Sequence, residues 1–358
     1  MISQKDFFST ALLRWNKLEN RRQMPWKGEK DPYRIWLSEI ILQQTRVEQG
    51  WPYYERFTSQ YPTVIKLAAA ADEEVFRLWQ GLGYYARCKN MLAAAREVAS
   101  VYNGKFPDTY EGIVSLKGVG AYTAAAIASF AFNLPHAVLD GNVYRVLARY
   151  FNIDTPIDST AGKKLFTALA AEMLPAKEPA TFNQSIMDFG AVVCKPQSPD
   201  CPRCPLNSHC EAYSVGTVAE LPVKTKKLKI KTRYFNYLFM EHKGHVYIRK
   251  RTGKDIWQNL HELVLLETPA ETGVDELTAS PAFEKLLGKE TYKITRVSPL
   301  LKQQLTHQTI YARFIHLRFE KGVPQLDDWM AVPLDKLHLY AFPKTIISYL
   351  QSEQLALD

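Results

Sequence analysis

The feature that most restricts what this chain can fold into is a group of four cysteines just past its middle. Cys194, Cys201, Cys204 and Cys210 lie within seventeen residues, with four prolines interspersed among them. Four thiols at such short spacing predict a metal site rather than four unrelated buried cysteines. Zinc and a [4Fe–4S] cluster both accept four cysteines, so the ligands alone do not choose between them. Cys88 stands apart, and we interpret it as a buried thiol.

The residues before this segment favour helices, and strand patterns begin only well after it. Up to about residue 213 the apolar residues recur with helical spacing, and Asp31-Pro32 is typical of an N-cap followed by proline at the first helical position. From Tyr234 onward, residues 234–240 and 245–248 flank a Lys243-Gly244 turn and predict a β-hairpin. Further strands are predicted at 263–266 and 310–319. Helices are predicted at 6–18, 32–45, 49–58, 72–80, 87–102, 108–116, 120–132, 141–151, 161–173, 180–193, 276–287 and 334–352.

The charge of the chain suits a polyanionic partner. The formal net charge is +8, and lysines and arginines release condensed counterions when they neutralise phosphates. Charge alone does not decide for nucleic acid, because many basic proteins bind none. Six basic residues between 221 and 233 stand without an acidic one, and we interpret this run as a solvated linker that can also pass close to phosphates. They are Lys224, Lys226, Lys227, Lys229, Lys231 and Arg233.

The sequence shows no targeting or membrane signal. Residues 1–10 lack the apolar stretch of a signal peptide, and residues 121–132, the most apolar later stretch, are too short to span a bilayer. We therefore expect a cytoplasmic protein that makes no membrane contact.

A glycine pair lies between two predicted helices, in Leu116-Lys117-Gly118-Val119-Gly120. Two glycines one residue apart allow the backbone to turn sharply into the next helix, which leaves N–H groups exposed where a phosphate can bind. A lone pair of this kind is usually only a turn, so its weight depends on its neighbours.

Two carboxylates are candidates for chemistry. Glu39 lies inside an apolar helix, where a charged group is costly unless it is paired or functional. Burial there should raise its pKa, which suits a general acid. Asp140, in Leu139-Asp140-Gly141-Asn142, has a simpler alternative explanation as a helix N-cap.

A further motif is the segment 81–87, which places Tyr84 and Tyr85 beside two glycines and Arg87. Such a loop could enter a DNA stack.

Taken together, these motifs resemble the helix-hairpin-helix DNA glycosylase superfamily, and within it the MutY-type adenine DNA glycosylases. The matching stretches occur in the family's order between residues 22 and 210. They are Met24-Pro25-Trp26, residues 36–45, residues 81–87, Gly118-Val119-Gly120, residues 139–143, Phe182-Asn183-Gln184 and the four-cysteine segment.

The resemblance implies roles for individual residues. It implies a [4Fe–4S] cluster on the four cysteines, Glu39 as the acid that protonates adenine, and Asp140 as the anion that stabilises the sugar cation. Tyr122 and Asn142 resemble the partners that position these two groups, and Gly118, Val119 and Gly120 resemble the phosphate-binding hairpin. Gln44 and Tyr84 match wedge residues beside an opposite 8-oxoguanine. The adenine pocket is implied to contain Arg22, Met24, Trp26, Leu42, Gln184 and Met187.

The related endonuclease III-type enzymes use a lysine two residues after the last hairpin glycine to nick the strand. Here that position is Tyr122, and Lys117 lies inside the turn. The alternatives are a bifunctional lyase acting on oxidised pyrimidines and a non-catalytic DNA-binding or redox protein that uses the cluster alone. Tyr122 argues against the first, and Glu39 in its apolar helix argues against the second. We therefore expect a monofunctional glycosylase.

The resemblance also implies a Nudix-like second domain that recognises 8-oxoguanine. Thr306 and His307 fit that role, although this chain has Leu-Thr-His where the family commonly has Phe-Ser-His, and Gln258-Asn259 where it has glycines. Residues after 234 contain no Nudix catalytic box of clustered glutamates, so we expect no pyrophosphatase activity. The expected organisation is a mostly α helix-hairpin-helix domain (1–216) including the cluster loop (194–210), a basic linker (217–233) and an α+β Nudix-like domain (234–358). The expected partner is duplex DNA with adenine opposite 8-oxoguanine, bound by a monomer.

Overall fold

The computed structural model describes residues 4–24, 26–225, 230–288 and 290–355. Backbone contacts divide them into two compact units. The first holds the described residues among 1–70 and 89–226, and the second those among 71–88 and 227–358. Within the described residues, no helix has both the length and the apolar character needed to cross a membrane.

The first unit is built from helices, as the sequence predicts. Every helix predicted before residue 194 is present, with ends that differ by a few residues. The sequence does not predict the short helices at Val64–Ala69 and Glu211–Val215, because five or six residues are too few to show a helical period. The α-helices that precede the first strand are α1 (Gln4–Leu18), α2 (Pro32–Leu42), α3 (Val47–Gln60), α4 (Val64–Ala69), α5 (Asp72–Leu78), α6 (Tyr85–Val101), α7 (Tyr110–Ser115), α8 (Ala121–Phe132), α9 (Gly141–Tyr150), α10 (Thr160–Met173), α11 (Pro179–Val192) and α12 (Glu211–Val215). Of these, α5 belongs to the second unit, and α6 is shared between the two units.

Local signals explain where the site-bearing helices begin. The Asp31 side chain accepts a hydrogen bond from the Tyr33 amide, and Pro32 opens α2 as predicted. α8 is rich in alanine, and Ala124–Ala128 are almost fully buried, so neighbouring helices can approach it closely. α9 and α11 contribute Val146, Leu147 and Phe189 to the core of this unit.

The second unit contains a seven-stranded mixed sheet. Its order is β4-β6-β1-β3-β2-β7, with β5 paired to β6, and its central pair β1 and β6 runs parallel, with Lys231 opposite Gln308. The predicted hairpin is present, since β1 and β2 meet at His242 and His245. The strands are β1 (Lys231–His242), β2 (His245–Lys250), β3 (His261–Thr268), β4 (Tyr292–Val297), β5 (Leu301–Gln304), β6 (Gln308–Phe319) and β7 (Met330–Pro333).

Helices cover both faces of this sheet. Leu238 and Ile315 pack with Phe283 of α14 (Pro281–Leu287), which follows α13 (Val274–Thr278). Phe314, one residue before Ile315 and therefore on the opposite face, stacks on Tyr349 of α15 (Lys344–Ser352) at 3.8 Å between ring centroids. Two burial faces explain why residues 235–240 of β1 are buried without interruption.

Several predictions for this unit need correction. The helix predicted at 276–287 is two helices, because Ser280 caps a new one that Pro281 opens. The helix predicted at 334–352 is a 3₁₀ turn at Leu334–Leu339 followed by α15, which begins after Pro343. β4, β5 and β7 were not predicted; β4 is largely exposed and therefore lacks the apolar alternation of a half-buried strand.

The predicted linker ends too late. β1 begins at Lys231, and the Arg233 side chain is buried, where it pairs with Asp255 at 2.9 Å and with Glu267 at 2.6 Å. A cation held by two carboxylates inside a sheet is not part of a solvated run. Lys226, Lys227 and Lys229 lie outside the described residues, so the rest of the linker stays a prediction.

Residues 71–88, which the sequence places in the first domain, group with the second unit. Three polar contacts join this segment to the sheet-bearing region. Lys250 pairs with Glu73 at 2.8 Å, the Phe342 amide donates to Gln80 at 3.2 Å, and the hydroxyls of Tyr84 and Thr306 share a hydrogen bond.

Candidate active site

A cavity of about 680 Å³ lies in the first unit. Its walls come from the irregular segment between α1 and α2, from α2 and the residues that follow it, from both ends of α8, from the start of α9 and from the first half of α11. The structure brings together here eleven residues that the sequence analysis nominated from separate motifs: Arg22, Met24, Trp26, Glu39, Leu42, Gln44, Tyr122, Asp140, Asn142, Gln184 and Met187.

Glu39 faces this cavity from the middle of α2, while Ile40 and Ile41 beside it are buried in the core. Only 8% of Glu39 is exposed. Burial raises its pKa to about 7; a hydrogen bond from the Tyr122 hydroxyl opposes that rise, and the nearby Asp140 carboxylate adds to it. Burial also raises the pKa of Tyr122, so its hydroxyl keeps its proton. A carboxyl that titrates near 7 is present in both protonation states at neutral pH.

Asp140 is an N-cap and a cavity-lining carboxylate at once. It accepts hydrogen bonds from the amides of Asn142 and Val143, each at 2.8 Å, and from the Asn142 side chain at 2.8 Å. Burial raises its pKa, whereas these three hydrogen bonds and Arg145 lower it. Glu39 receives one such bond, so the two carboxylates of one cavity have unlike environments. The simpler N-cap interpretation of Asp140 and the functional one are therefore compatible.

Arg145 connects this carboxylate to the cysteine segment, and the sequence analysis missed it. It donates to the Asn142 side-chain oxygen at 2.8 Å and to the Gly190 carbonyl at 2.6 Å. It also donates to the Cys194 carbonyl at 2.8 Å. One buried guanidinium thus fixes the residue that holds Asp140 and the backbone of the first cysteine.

Asp188 is a second residue that the sequence analysis missed. It is fully buried and accepts hydrogen bonds from Arg22 at 2.8 Å, Lys27 at 2.9 Å and Gln184 at 3.0 Å, all three of which line the cavity. The pattern that identifies Glu39, a carboxylate within an apolar helix, also applies to Asp188 and could have identified it.

The glycine pair has the predicted turn. Gly118 has a positive φ of 77°, and a Cβ there would lie 2.6 Å from the Cβ of Asn90, so only glycine fits. Gly120 precedes α8 without a side-chain cap, and a Cβ there would meet no heavy atom within 4 Å. Val119 between them is buried. The first amides of a helix have no partner within the helix, so the start of α8 has groups that could bind a phosphate, and that role stays a prediction.

Both predicted wedge residues have left-handed backbones. Gln44 has φ 55° and Tyr84 φ 49°, a conformation that costs a non-glycine residue about 1–3 kcal/mol and that clusters at functional sites. Tyr84 is 41% exposed, and its hydroxyl is hydrogen-bonded to Thr306 within the second unit. Thr306 and His307 are themselves exposed at the turn between β5 and β6.

The four cysteines lie between α11 and α12, where Arg149 organises the loop. Buried Arg149 donates to the carbonyls of Lys195 at 2.7 Å and Pro196 at 3.0 Å, and to the sulfur of Cys194 at 3.5 Å. Burial raises the pKa of Cys204 to about 12, and the charges of the other three thiolates add to this rise.

The chemistry of this donor set fits a cationic group between the thiols. Four thiolates are the ligand set of both structural zinc sites and iron–sulfur clusters.

Two known families match the two halves of the chain. Residues 37–170 match the family described as "HhH-GPD superfamily base excision DNA repair protein". Residues 236–352 match the family described as "NUDIX domain".

Similar proteins carry a common name. The adenine DNA glycosylase of Buchnera aphidicola subsp. Baizongia pistaciae is 37% identical, over 71% of this chain and 72% of its own length. The human adenine DNA glycosylase is 40% identical, over 59% of this chain and 40% of its own length.

Among solved structures, a thermostable thymine-DNA glycosylase has a TM-score of 0.55 and 29% identity, and the match covers 59% of this chain and 97% of that one. A trapped endonuclease III–DNA covalent intermediate has a TM-score of 0.51, and the match covers 60% of this chain and 99% of that chain. Because the identity is only 22%, this similarity shows the fold alone.

Fold and site together define a base excision repair glycosylase of the helix-hairpin-helix class, with a Nudix-like second domain. Within that class the chain belongs to the adenine DNA glycosylase family. It is an enzyme that hydrolyses the N-glycosidic bond of adenine in DNA.

Proposed function

We propose that this enzyme removes adenine mispaired with 8-oxoguanine, or with guanine, from duplex DNA, and that Glu39 and Asp140 perform the chemistry. The observation that carries the proposal is the pair of unlike carboxylates on one cavity. Glu39 is buried with one hydrogen bond and a pKa of about 7, whereas Asp140 accepts three hydrogen bonds. Two carboxyls in such different environments are suited to one acid role and one anionic role.

In the proposed mechanism, an adenine flipped out of the duplex enters the cavity. Glu39 donates its proton to a ring nitrogen of the base as the bond between adenine and C1′ breaks, so adenine leaves as a neutral molecule. The electron-deficient sugar is stabilised by ionised Asp140. Water then adds to C1′ and releases a proton, which restores Glu39. Tyr122 orients Glu39, and Asn142 holds Asp140.

The remaining cavity residues would recognise the base. We assign this role to Arg22, Met24, Trp26, Leu42, Gln184 and Met187, which all line the same cavity. The amides following Gly118, Val119 and Gly120 would bind a backbone phosphate. Tyr122 cannot form the Schiff base that a lyase needs, so the product would be an intact abasic site.

Recognition of the opposite base is assigned to the second unit. Tyr84, Thr306 and His307 are exposed, and the first two share a hydrogen bond, which supports a common binding role. Gln44 in the first unit is separately proposed to enter the base stack, because it has the strained backbone of a functional residue. The partner is duplex DNA, and we propose that one monomer suffices, since each assigned residue comes from one chain.

We also propose that Cys194, Cys201, Cys204 and Cys210 hold a [4Fe–4S] cluster. The cluster would supply positive charge that compensates the four thiolates and would fix the loop after α11. Arg149, which donates to the Cys194 sulfur, would compensate further charge. The domain division proposed from the sequence follows the same reasoning, with the cysteine loop closing the catalytic domain.

One gel assay tests the function. A duplex with a single adenine opposite 8-oxoguanine is incubated with enzyme and then developed with and without alkali. We expect strand breaks at adenine only after alkali, and no breaks at the opposite base. Breaks without alkali would contradict the monofunctional assignment, and an uncleaved strand after alkali would contradict the substrate.

A further inference from the structure

One wall of the cavity has no regular secondary structure. The segment between α1 and α2 carries Arg22, Met24 and Trp26 to the cavity. Its cations are fixed by buried Asp188, which pairs with Arg22 and Lys27. Those ion pairs fix the charged side chains of this segment. They do not involve the Trp26 ring, whose orientation depends on its aromatic neighbours.

Those neighbours lie on α3. The Trp26 ring centroid is 6.2 Å from that of Trp51, with planes at 40°, and 5.5 Å from that of Tyr54, in an edge-on arrangement at 65°. Both distances are within the range of favourable aromatic pairs. Trp51 and Tyr54 are three residues apart, so they share one face of the helix. Neither ring lines the cavity itself.

A second observation shows that α3 supports another wall of the same cavity. A Cβ on Gly50 would lie 2.9 Å from the Leu42 side chain and 3.3 Å from that of Ile41. Gly50 therefore lets α3 approach α2 at the residue before Trp51. Leu42 is a cavity residue, so α3 contacts two walls, one through Gly50 and one through the aromatic pair.

We propose that Trp51 is a positioning residue for base recognition, which holds the Trp26 ring in the orientation that packs against the excised base. The inference rests on the proposed use of this cavity for adenine. Without Trp51, the Trp26 ring keeps only its edge contact with Tyr54 and regains rotamer freedom. A base in the cavity then loses its fixed neighbour, and the reactive geometry at the sugar is populated less.

The experiment compares Trp51→Ala, Trp51→Phe and a matched control, Tyr53→Ala. Tyr53 lies on the same helix, and Arg56 stacks over its ring at 4.4 Å. We expect Trp51→Ala to lower the single-turnover rate of adenine excision about tenfold with unchanged duplex affinity. Trp51→Phe should recover most of the rate, and Tyr53→Ala should match the parent enzyme.

A spectroscopic measurement separates positioning from loss of folding. In a Glu39→Gln background, a duplex with 2-aminopurine in place of the target adenine reports stacking through fluorescence quenching. Trp51→Ala should leave the bound base brighter than either the parent or Tyr53→Ala does. Parental rate and quenching in Trp51→Ala would overturn the inference and leave the proposed function intact. The inference would also be overturned if Trp51→Ala had a lower melting temperature than the parent enzyme and Trp51→Phe did not restore it. A parent enzyme that excises no adenine would overturn both.

Discussion

At the residue scale, the protein separates two carboxyls by giving them different neighbours. Glu39 lies in an apolar helix with one hydroxyl donor, and Asp140 lies at a helix N-terminus with three donors. Desolvation raises the pKa of both carboxyls; one hydrogen bond opposes it at Glu39, whereas three hydrogen bonds and Arg145 oppose it at Asp140. This difference is what the proposed acid and anion roles require.

The rate of adenine excision should fall as pH rises through about 7. The active form needs protonated Glu39, whose pKa is about 7, together with ionised Asp140, whose charge three hydrogen bonds stabilise. Single-turnover rates between pH 5 and pH 9 would measure this. Glu39→Gln should reduce the rate by about 10²–10⁴ while DNA binding survives, and Glu48→Gln, at an exposed position on α3, should leave the profile unchanged. A rate that rises between pH 7 and pH 9 would contradict the acid role.

The same raised pKa predicts that stability, like the excision rate, falls as pH rises. The folded-state pKa of Glu39, about 7, exceeds its ordinary value of 4.5. The folded state therefore binds the proton more tightly, and stability falls as pH rises from about 4.5 to 7. Glu39→Gln removes that loss and should gain up to about 3 kcal/mol at pH 8, with little difference at pH 4. Denaturant unfolding at the two pH values measures it, and equal stability of parent and variant at pH 8 would show that the carboxyl is not desolvated.

At the element scale, the position of Asp140 depends on how closely α11 packs on α9. A Cβ on Gly190 would lie 2.7 Å from the Asn142 Cβ and 3.0 Å from its carbonyl oxygen. Backbone atoms cannot give way as a flexible side chain does. The Gly190 carbonyl also accepts from Arg145, so the same contact holds Asn142 from two sides.

Gly190→Ala should therefore displace the start of α9 and the Asp140 carboxylate with it. We expect a loss of about 1–3 kcal/mol in stability, typical of overpacking, and at least a tenfold lower excision rate. Gly273→Ala is the matched control, because a Cβ there would meet nothing within 4 Å. Thermal melts and single-turnover kinetics would test both variants. If Gly190→Ala kept full activity, the close contact would not determine the site.

The loop between α11 and α12 should carry a chromophore. We expect protein purified without air exposure to be brown, with a broad absorption band at the visible–ultraviolet border and iron in stoichiometric amount. Cys204→Ser should lose colour and thermal stability, since one of four ligands is gone. Cys88→Ser, away from the loop, should keep the colour. A colourless parent protein with stoichiometric zinc would refute the cluster.

At the scale of the whole molecule, the residues assigned to the opposite base come from two distant parts of the chain. Tyr84 and Thr306 are 222 residues apart and share a hydrogen bond within the second unit. Removing residues 220–358 would remove Thr306 and His307 together with the sheet-bearing region that residues 71–88 contact. Such a truncation should leave some adenine excision and reduce the preference for 8-oxoguanine.

Thr306→Val tests this more sharply than a truncation. It removes the hydroxyl that contacts Tyr84 and keeps the side-chain shape. We expect a several-fold smaller ratio of excision rates opposite 8-oxoguanine and opposite guanine, with the rate opposite guanine nearly unchanged. Thr278→Val, at a half-buried position in α13, is the control. An unchanged ratio for Thr306→Val would mean that the second unit reads the opposite base through other residues.

The sequence by itself determined the features that are local along the chain. The Asp31-Pro32 helix start, the Gly118-Val119-Gly120 turn and the spacing of the four cysteines are each set by residues within a few positions of one another. Glu39 could be selected because a carboxylate in an apolar helix conflicts with its immediate neighbours.

Only the tertiary structure decided which residues support these groups. Asp188, Arg145 and Trp51 contact partners 25 to 166 residues away in the chain, and the polar contacts of residues 71–88 span 177 to 262 residues. Arg233 is a further example. Its position in a basic run predicts exposure, but the residue is buried because it pairs with two carboxylates that lie far along the chain. Such contacts depend on how helices and strands approach one another, and packing of this kind leaves no periodic pattern in the sequence of either partner.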